Sequence, residues 1–570
     1  MSKNKGFQPD WYEGAFPPKS YRSLFKWGHA DEFKHPNKHL YALMKERFGM
    51  TDDDFRAPRD LGLEDVKFDI PVRTLSDHLA SLASIVGEGD IDTDDYNRLR
   101  ASYGKMIWDV ARLRERIIEN LPDAVVYPKT SADVAAIVKY CTAHRIPIYP
   151  RGGGSGVMRG TECNEGGIAL DMTRHMNRVL EFNEINHTIT VEAGMYIPDL
   201  EDTLNRAVEL FGAKRAYTCG HLPQSYLGAT VGGSVVTRGA GQNSTYYGKM
   251  EDLVLCQHYV TPAGDIITRE YPRAATGPSI DQIMIGSEGC FGVMVSATLK
   301  VFRYMPENSQ RFSFIFPHWE AGLAAGREIM QSQFGFPSVL RLSDPEETDV
   351  ALKLYGVEGT ILDKLIEARG YKHMERCLMI GLAEGEIKFA KNIKERVHEI
   401  ARDYGAMNTT AYVTRSWEHG RFRDPYMRED LMDYGIIIDT LECAVPWHTI
   451  GTLWKNTRAV AKRRPNTIVM SHSSHFYPQG TNLYFIFIGK FDSGEDYLEY
   501  QAAIIDSIRE QGGALSHHHG IGKMLAPWYE DFTGSTEMGL LRAIKRHLDP
   551  GNIMNPGGTL ALDLNESLRR

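Results

Sequence analysis

A chain of 570 residues, 42% hydrophobic and 24% charged, is long enough for three or four domain-sized units at ~150 residues each. A formal net charge of −9 argues against nucleic acid as a partner, since proteins that bind it carry basic stripes. No apolar run approaches the ~18 residues that span a bilayer, residues 1–14 hold no apolar signal core, and seven scattered cysteines with no CxxC pair suit a reducing compartment, so the expected location is the cytoplasm.

In chain order, residues 1–120 read as a helical N-terminal region. Tyr103, Met106, Ile107, Val110, Leu113 and Ile117 recur at helical spacing and predict one helix over 96–120, ended by Pro122. Residues 121–305 follow an α/β rhythm. Strands are expected at 124–127, 146–149, 167–171 and 188–192, with helices at 131–144 (Ser131 as N-cap) and 197–210, the latter ending at Gly212. A second rhythm fills 306–510, with strands at 311–316, 338–342, 377–382 and 483–488 and helices at 319–334, 387–404 and 497–511. It predicts an α+β cap domain with an antiparallel sheet. Residues 511–570 form a C-terminal segment that carries a histidine run. No repeat or linker interrupts the chain, so the units are expected to pack as one body.

The chemistry concentrates in three glycine-rich blocks. In the first, Arg151-Gly152-Gly153-Gly154-Ser155-Gly156-Val157, a nearly bare backbone lets a ligand approach closely, and successive N–H groups can cradle a pyrophosphate. The G-x-G-x-x-G fingerprint is not met: counted from Gly152, its third glycine is Val157, and a strand follows rather than a helix. Alone, this loop is equally a tight connection. The second block runs from Gly220-His221-Leu222-Pro223-Gln224-Ser225 through Thr230-Val231-Gly232-Gly233 to Thr237 and Gly241. The third is Gly286-Ser287-Glu288-Gly289-Cys290-Phe291-Gly292-Val293. Glycine in strands and turns costs ~0.5–1 kcal/mol each, so three such blocks within ~150 residues point to close backbone approach by a ligand.

Further along, Ser516-His517-His518-His519-Gly520 is either a surface run or a loop entering a pocket. In helix or strand adjacent side chains diverge, so the three imidazoles are not expected around one metal, and none is assigned. Tyr477 precedes a Pro-Gly turn and suits a cavity, whereas Tyr484 and Phe485 read as strand filler. Arg428 is either a fork donor to a substrate anion or an ion-pair partner of Asp430.

The order and spacing of the blocks resemble the two-subdomain, PCMH-type FAD-binding module of the vanillyl-alcohol oxidase family. Within it, residues 21–560 resemble the alkyldihydroxyacetonephosphate synthases, through Lys26-Trp27-Gly28, Tyr103-Gly104-Lys105, Gly220-His221, residues 425–430, Tyr477 and the histidine run. The resemblance implies FAD held without a covalent link, with Ser155 where covalent relatives carry histidine. It implies a catalytic Tyr477, substrate arginines Arg428 and Arg341, and active-site histidines His221, His517, His518 and His519. The implied reaction exchanges the acyl group of acyl-dihydroxyacetone phosphate for a fatty alcohol through a transient flavin N5 adduct. A small-molecule substrate with a long alkyl chain, peripheral membrane association and a homodimer go with it. The chain departs from the pattern: G-H-E-P-D-S reads Gly220-His221-Leu222-Pro223-Gln224-Ser225, E-S-F-E-T reads 439–443, and D-A-G-A-C reads Pro478-Gln479-Gly480-Thr481-Asn482. The alternatives are an FAD oxidoreductase acting on a hydroxy acid, alcohol or aromatic compound, and a flavin-free interaction protein.

Overall fold

The computed structural model describes residues 16–28, 33, 36–74 and 76–570, so the reading of residues 1–14 lies outside the described residues. A first sheet runs in the order Ile91–Asp92, Ala124–Val126, Ile168–Asp171, Ile148–Arg151, with the last three strands parallel. Ala124–Val126 and Ile168–Asp171 are buried at every position, as strands covered on both faces are. The helix Ser131–His144 lays Val134, Ile137, Val138 and Cys141 into this core. Its N-cap is Thr130 rather than Ser131. The Thr130 hydroxyl accepts from the Asp133 N–H at 3.1 Å, and the Asp133 carboxylate accepts in return from the Thr130 N–H at 3.2 Å.

A second, antiparallel sheet of five strands follows, ordered Val179–Asn183, Thr188–Glu192, Val293–Lys300, Val254–Thr261, Gly264–Ile267. The helix expected at 197–210 is divided at Arg206 into Ile197–Asn205 and Ala207–Phe211, and Gly212 closes it in the left-handed region.

The cap is a seven-stranded antiparallel sheet in the order Met407–Asn408, Gln310–Phe316, Cys377–Ala383, Val339–Ser343, Ile468–Tyr477, Gly480–Gly489, Ile437–Pro446. Helices Trp319–Gln331, Ile387–Asp403 and Gly494–Glu510 accompany it. Ile387–Asp403 buries Ala390, Ile393, Val397, Ile400 and Ala401 at helical spacing. The fold is thus the expected two-sheet α/β module with an α+β cap. Register matters most on three adjacent strands, where Tyr484 pairs with Glu442 on one side and His472 on the other.

One expected element is absent. Residues 96–120 form two helices, Asp95–Ser102 and Ile107–Arg114, separated at Tyr103–Met106. The break is a tertiary contact: the Lys105 N–H donates to the Gly156 carbonyl at 2.8 Å, and a Cβ on Gly104 would stand 2.7 Å from that oxygen. Nearby, buried ion pairs fasten the N-terminal region to the cap. Arg22 pairs with Asp433 and Asp430, Lys26 with Asp430 at 2.9 Å, and Arg114 with Asp433 at 2.8 Å.

Candidate active site

An open cleft draws its walls from both sheets of the two-sheet module. The first glycine block lines it throughout, from Arg151 to Val157, together with Pro223, Ser225, Thr230, Gly232, Gly233, Thr237, Glu288 and Gly292. A Cβ on Gly153 would lie 1.8 Å from the Gly228 carbonyl, so only glycine fits there. At Gly156 a Cβ would meet nothing within 4 Å, which leaves room for a ligand. Arg151 braces the loop by donating to Asp171 at 2.8 Å and to the Gly152 carbonyl at 3.0 Å. Two expected positions fall outside the lining. Gly241 packs against His221 and Leu222, where a Cβ would lie 2.3 Å from the Leu222 nitrogen, and Val293 is wholly buried in a core strand.

His221 lines the cleft, and its two buried ring nitrogens have no hydrogen-bond partner among the described residues. Burial pulls this imidazole down to about 3, so it is neutral. Buried polar atoms are normally satisfied, and a neutral ring with two open positions facing a glycine-walled cleft fits a polar ligand such as FAD.

The histidine run is a buried loop, not a surface run. Glu442 clasps it: its carboxylate accepts from the Ser516 hydroxyl at 2.7 Å and from the backbone N–H groups of His517, His518 and His519 at 2.8–3.1 Å. At the loop's exit Glu288 accepts from the N–H groups of Ile521 and Gly522 at 2.7 and 2.8 Å, so it anchors the loop as well as lining the cleft. Burial raises the Glu288 carboxyl to about 7.

Because the run is neither helix nor strand, adjacent imidazoles converge. His517 Nδ1 lies 2.9 Å from His518 Nδ1, the Tyr477 hydroxyl 2.8 Å from His517 Nε2, and the Tyr484 hydroxyl 2.7 Å from His518 Nε2. Glu442, His517 and His518 bring ligand-type atoms within 4.8 Å of one another, but hydrogen bonds already occupy those atoms. His518, His519 and Tyr484 line the cleft, while His517 stands one hydrogen bond behind His518 and Tyr477 one further, behind His517. Tyr484 is therefore part of the wall rather than strand filler. Burial holds His517 and His518 well below the usual imidazole range, and burial, then Glu251, raises the Tyr477 phenol.

Neither arginine lines the cleft. Arg428 donates to Glu429 at 2.7 Å and to the Lys105 carbonyl at 2.7 Å, and its guanidinium covers the Trp27 ring at 4.4 Å. Its ion-pair partner is Glu429, whereas Asp430 pairs with Lys26 and Arg22. Arg341 donates to Glu347 at 2.7 Å and approaches His472, which stacks on Tyr484 at 4.6 Å. Glu442 and Tyr484 are the functional residues that sequence reasoning passed over. Nothing in residues 439–443 marks the loop 75 residues later that Glu442 holds.

Comparison with known proteins decides the family. Residues 122–269 match the FAD binding domain and residues 305–559 the C-terminal domain of FAD linked oxidases. Alkyldihydroxyacetonephosphate synthase of Caenorhabditis elegans is 31% identical over 518 residues, covering 86% of this chain and 84% of that one. The chain belongs to the alkyldihydroxyacetonephosphate synthase family. The same enzyme of Dictyostelium discoideum is 29% identical over 515 residues, covering 87% and 82%. A solved alkyldihydroxyacetonephosphate synthase structure superimposes with a TM-score of 0.79 at 26% identity, over 94% of this chain and 99% of that one. The protein is an FAD-dependent enzyme, and the glycine blocks with His221 are the residues that fit the cofactor.

Proposed function

We propose that the enzyme exchanges the acyl group of an acyl-dihydroxyacetone-phosphate-type substrate for a long-chain alcohol, with no net redox change. The observation that carries this reading is the Tyr477–His517 pair, a phenol hydrogen-bonded to a neutral imidazole one contact behind the cleft. Such a pair suits removal of a proton from carbon next to a carbonyl and its return to an oxygen. Bound FAD supplies the isoalloxazine N5 as the reacting centre. The chain's own residues do the rest: Tyr477 and His517 hold and move the proton, Glu442 fixes the loop that carries His517, and His518, His519 and Tyr484 wall the site.

The relatives at 29% and 31% identity, matched over more than four-fifths of their length, support the same substrate class. A lipid substrate goes with attachment at a membrane surface. The helix Ile361–Ala368 supports this by presenting Ile361, Leu362 and Leu365 to solvent, although no helix among the described residues is long and apolar enough to cross a bilayer. A homodimer belongs to the same reading.

Anaerobic mixing tests the proposal. Incorporation of a labelled long-chain alcohol without any electron acceptor is the expected result. Bleaching to fully reduced flavin by a hydroxy acid or alcohol, with no incorporation, would sink it in favour of a dehydrogenase.

A further inference from the structure

The chain of contacts Tyr477–His517–His518–Tyr484 has two self-consistent proton arrangements. In the first, Tyr477 donates to His517 Nε2, His517 Nδ1–H donates to His518 Nδ1, and His518 Nε2–H donates to Tyr484. In the second, every one of these bonds runs the other way, and His517 Nε2–H donates to Tyr477. The heavy-atom distances of 2.8, 2.9 and 2.7 Å suit both. A neutral imidazole carries one N–H, so fixing a single nitrogen fixes the whole chain.

Asn482 breaks the tie. It is wholly buried on the strand Gly480–Gly489, and its Nδ2 lies 3.1 Å from His518 Nδ1 and 3.2 Å from Glu442 Oε2. Glu442 otherwise receives only donors, namely the Ser516 hydroxyl and three backbone N–H groups. The amide end facing it is therefore the NH2, since an amide oxygen there would oppose a carboxylate oxygen. The same NH2 reaches His518 Nδ1, which must then be an acceptor, its one lone pair shared between the amide at 3.1 Å and His517 Nδ1–H at 2.9 Å.

We propose that Asn482 is a positioning residue that sets the tautomers of His517 and His518, so that the Tyr477 hydroxyl proton points at His517 Nε2. His518 is then the Nε2–H tautomer and His517 the Nδ1–H tautomer. When Tyr477 gives up its proton, the O–H bond breaks, the N–H bond forms at His517 Nε2, and the resulting imidazolium is held through Nδ1–H by His518. Under the opposite polarity His517 Nε2 already carries a hydrogen and cannot take the Tyr477 proton.

The importance of the polarity for turnover rests on the acid–base role proposed above for Tyr477; the tautomers themselves do not. The test uses the FAD-loaded enzyme labelled with 15N-histidine, with His517→Gln and His518→Gln variants to assign signals in two-bond 1H–15N spectra. The wild type is expected to show His517 as Nδ1–H and His518 as Nε2–H. In the isosteric Asn482→Asp the buried acid shares one proton with Glu442, 3.2 Å away, and the oxygen that holds it offers only a lone pair to His518 Nδ1, so both tautomers are expected to reverse while the flavin spectrum persists. It should lower kcat by about 100-fold with little change in KM, and shift the pH profile. Asn482→Leu removes the bias and is expected to give mixed tautomers and an intermediate kcat, which keeps the test decisive if the aspartate variant does not fold. A wild-type His517 carrying its hydrogen on Nε2, or tautomers unchanged in the variants, overturns the proposal whatever the turnover. Reversed tautomers with full turnover uphold the polarity and sink the role of Tyr477 instead.

Discussion

Tyr477 and His517 stand 40 residues apart in sequence, yet the phenol hydroxyl and Nε2 lie 2.8 Å from each other, both held by elements that cannot easily move. Tyr477 ends the strand Ile468–Tyr477, and its carbonyl accepts from the Trp447 indole at 3.1 Å. The His517 N–H is fixed by Glu442. Replacing Tyr477 by Phe removes one oxygen and leaves the ring packing. The Tyr477→Phe enzyme is expected to bind FAD with an unchanged spectrum and to lose about 10²–10⁴-fold in kcat, the usual contribution of a positioned acid or base. Steady-state kinetics check this, and unchanged turnover rules the role out.

Gly156 offers a cleaner probe of the cofactor cradle than Gly153. A side chain at Gly153 collides with the Gly228 carbonyl and would disturb the fold itself, whereas at Gly156 it enters open space. Gly156→Glu is expected to fold with a melting temperature close to that of the wild-type apoprotein while placing an anion where a pyrophosphate would sit. Purified protein should be colourless. Retained FAD absorbance would remove the loop from the cofactor site.

Arg428 is an expected substrate ligand that the structure uses in packing. Arg428→Met leaves Glu429, 1% exposed, buried without its partner, and breaking a buried pair in this way costs about 3–5 kcal/mol. Thermal unfolding should show a large drop, and the double variant Arg428→Met/Glu429→Gln should recover part of it. Single and double variants that melt alike would mean that the pair is not the source of the loss.

What could be read from the sequence divides along the same line as these contacts. The cradle was legible because three glycine blocks carry their own signal, and the cap strands and helices because apolar periodicity is local. The helix over 96–120 was misread because its break at Gly104 answers to the Gly156 carbonyl, a contact that no helical periodicity encodes. Thr130 and Ser131 are both good caps, and only the reciprocal bond from Asp133 decides between them. The convergence of His517 and His518 contradicts a rule that holds for helices and strands but not for a loop pinned by a carboxylate from a distant strand.

That carboxylate gives the next prediction. Glu442→Gln keeps the shape but turns one oxygen into a donor facing backbone N–H groups that need acceptors. Each buried donor left unpaired costs about 1–3 kcal/mol. The loop 516–520 is expected to loosen, with faster amide exchange at His517, His518 and His519 and a fall in kcat larger than the fall in FAD affinity. Exchange rates equal to the wild type would show that the clasp is dispensable.

Glu288 supplies a pH dependence whose sign is fixed. Its carboxyl is raised from 4.5 to about 7, chiefly by burial. Below pH 4.5 both folded and unfolded chains carry the proton, and the group's contribution to stability is fully present. As pH rises toward 7 the unfolded chain releases the proton first, so this contribution is lost through that window and stays lost above it. At ~1.4 kcal/mol per unit, the loss is on the order of 3 kcal/mol. Glu288→Gln cannot titrate. Its stability relative to wild type is therefore expected to rise between pH 4.5 and 8, even if the amide, a poorer acceptor for the Ile521 and Gly522 N–H groups, makes the variant weaker at every pH. Denaturant unfolding at several pH values measures the difference between the two curves. Parallel curves would mean that Glu288 ionises in the folded enzyme much as it does in the unfolded chain, and that its two backbone hydrogen bonds outweigh its burial.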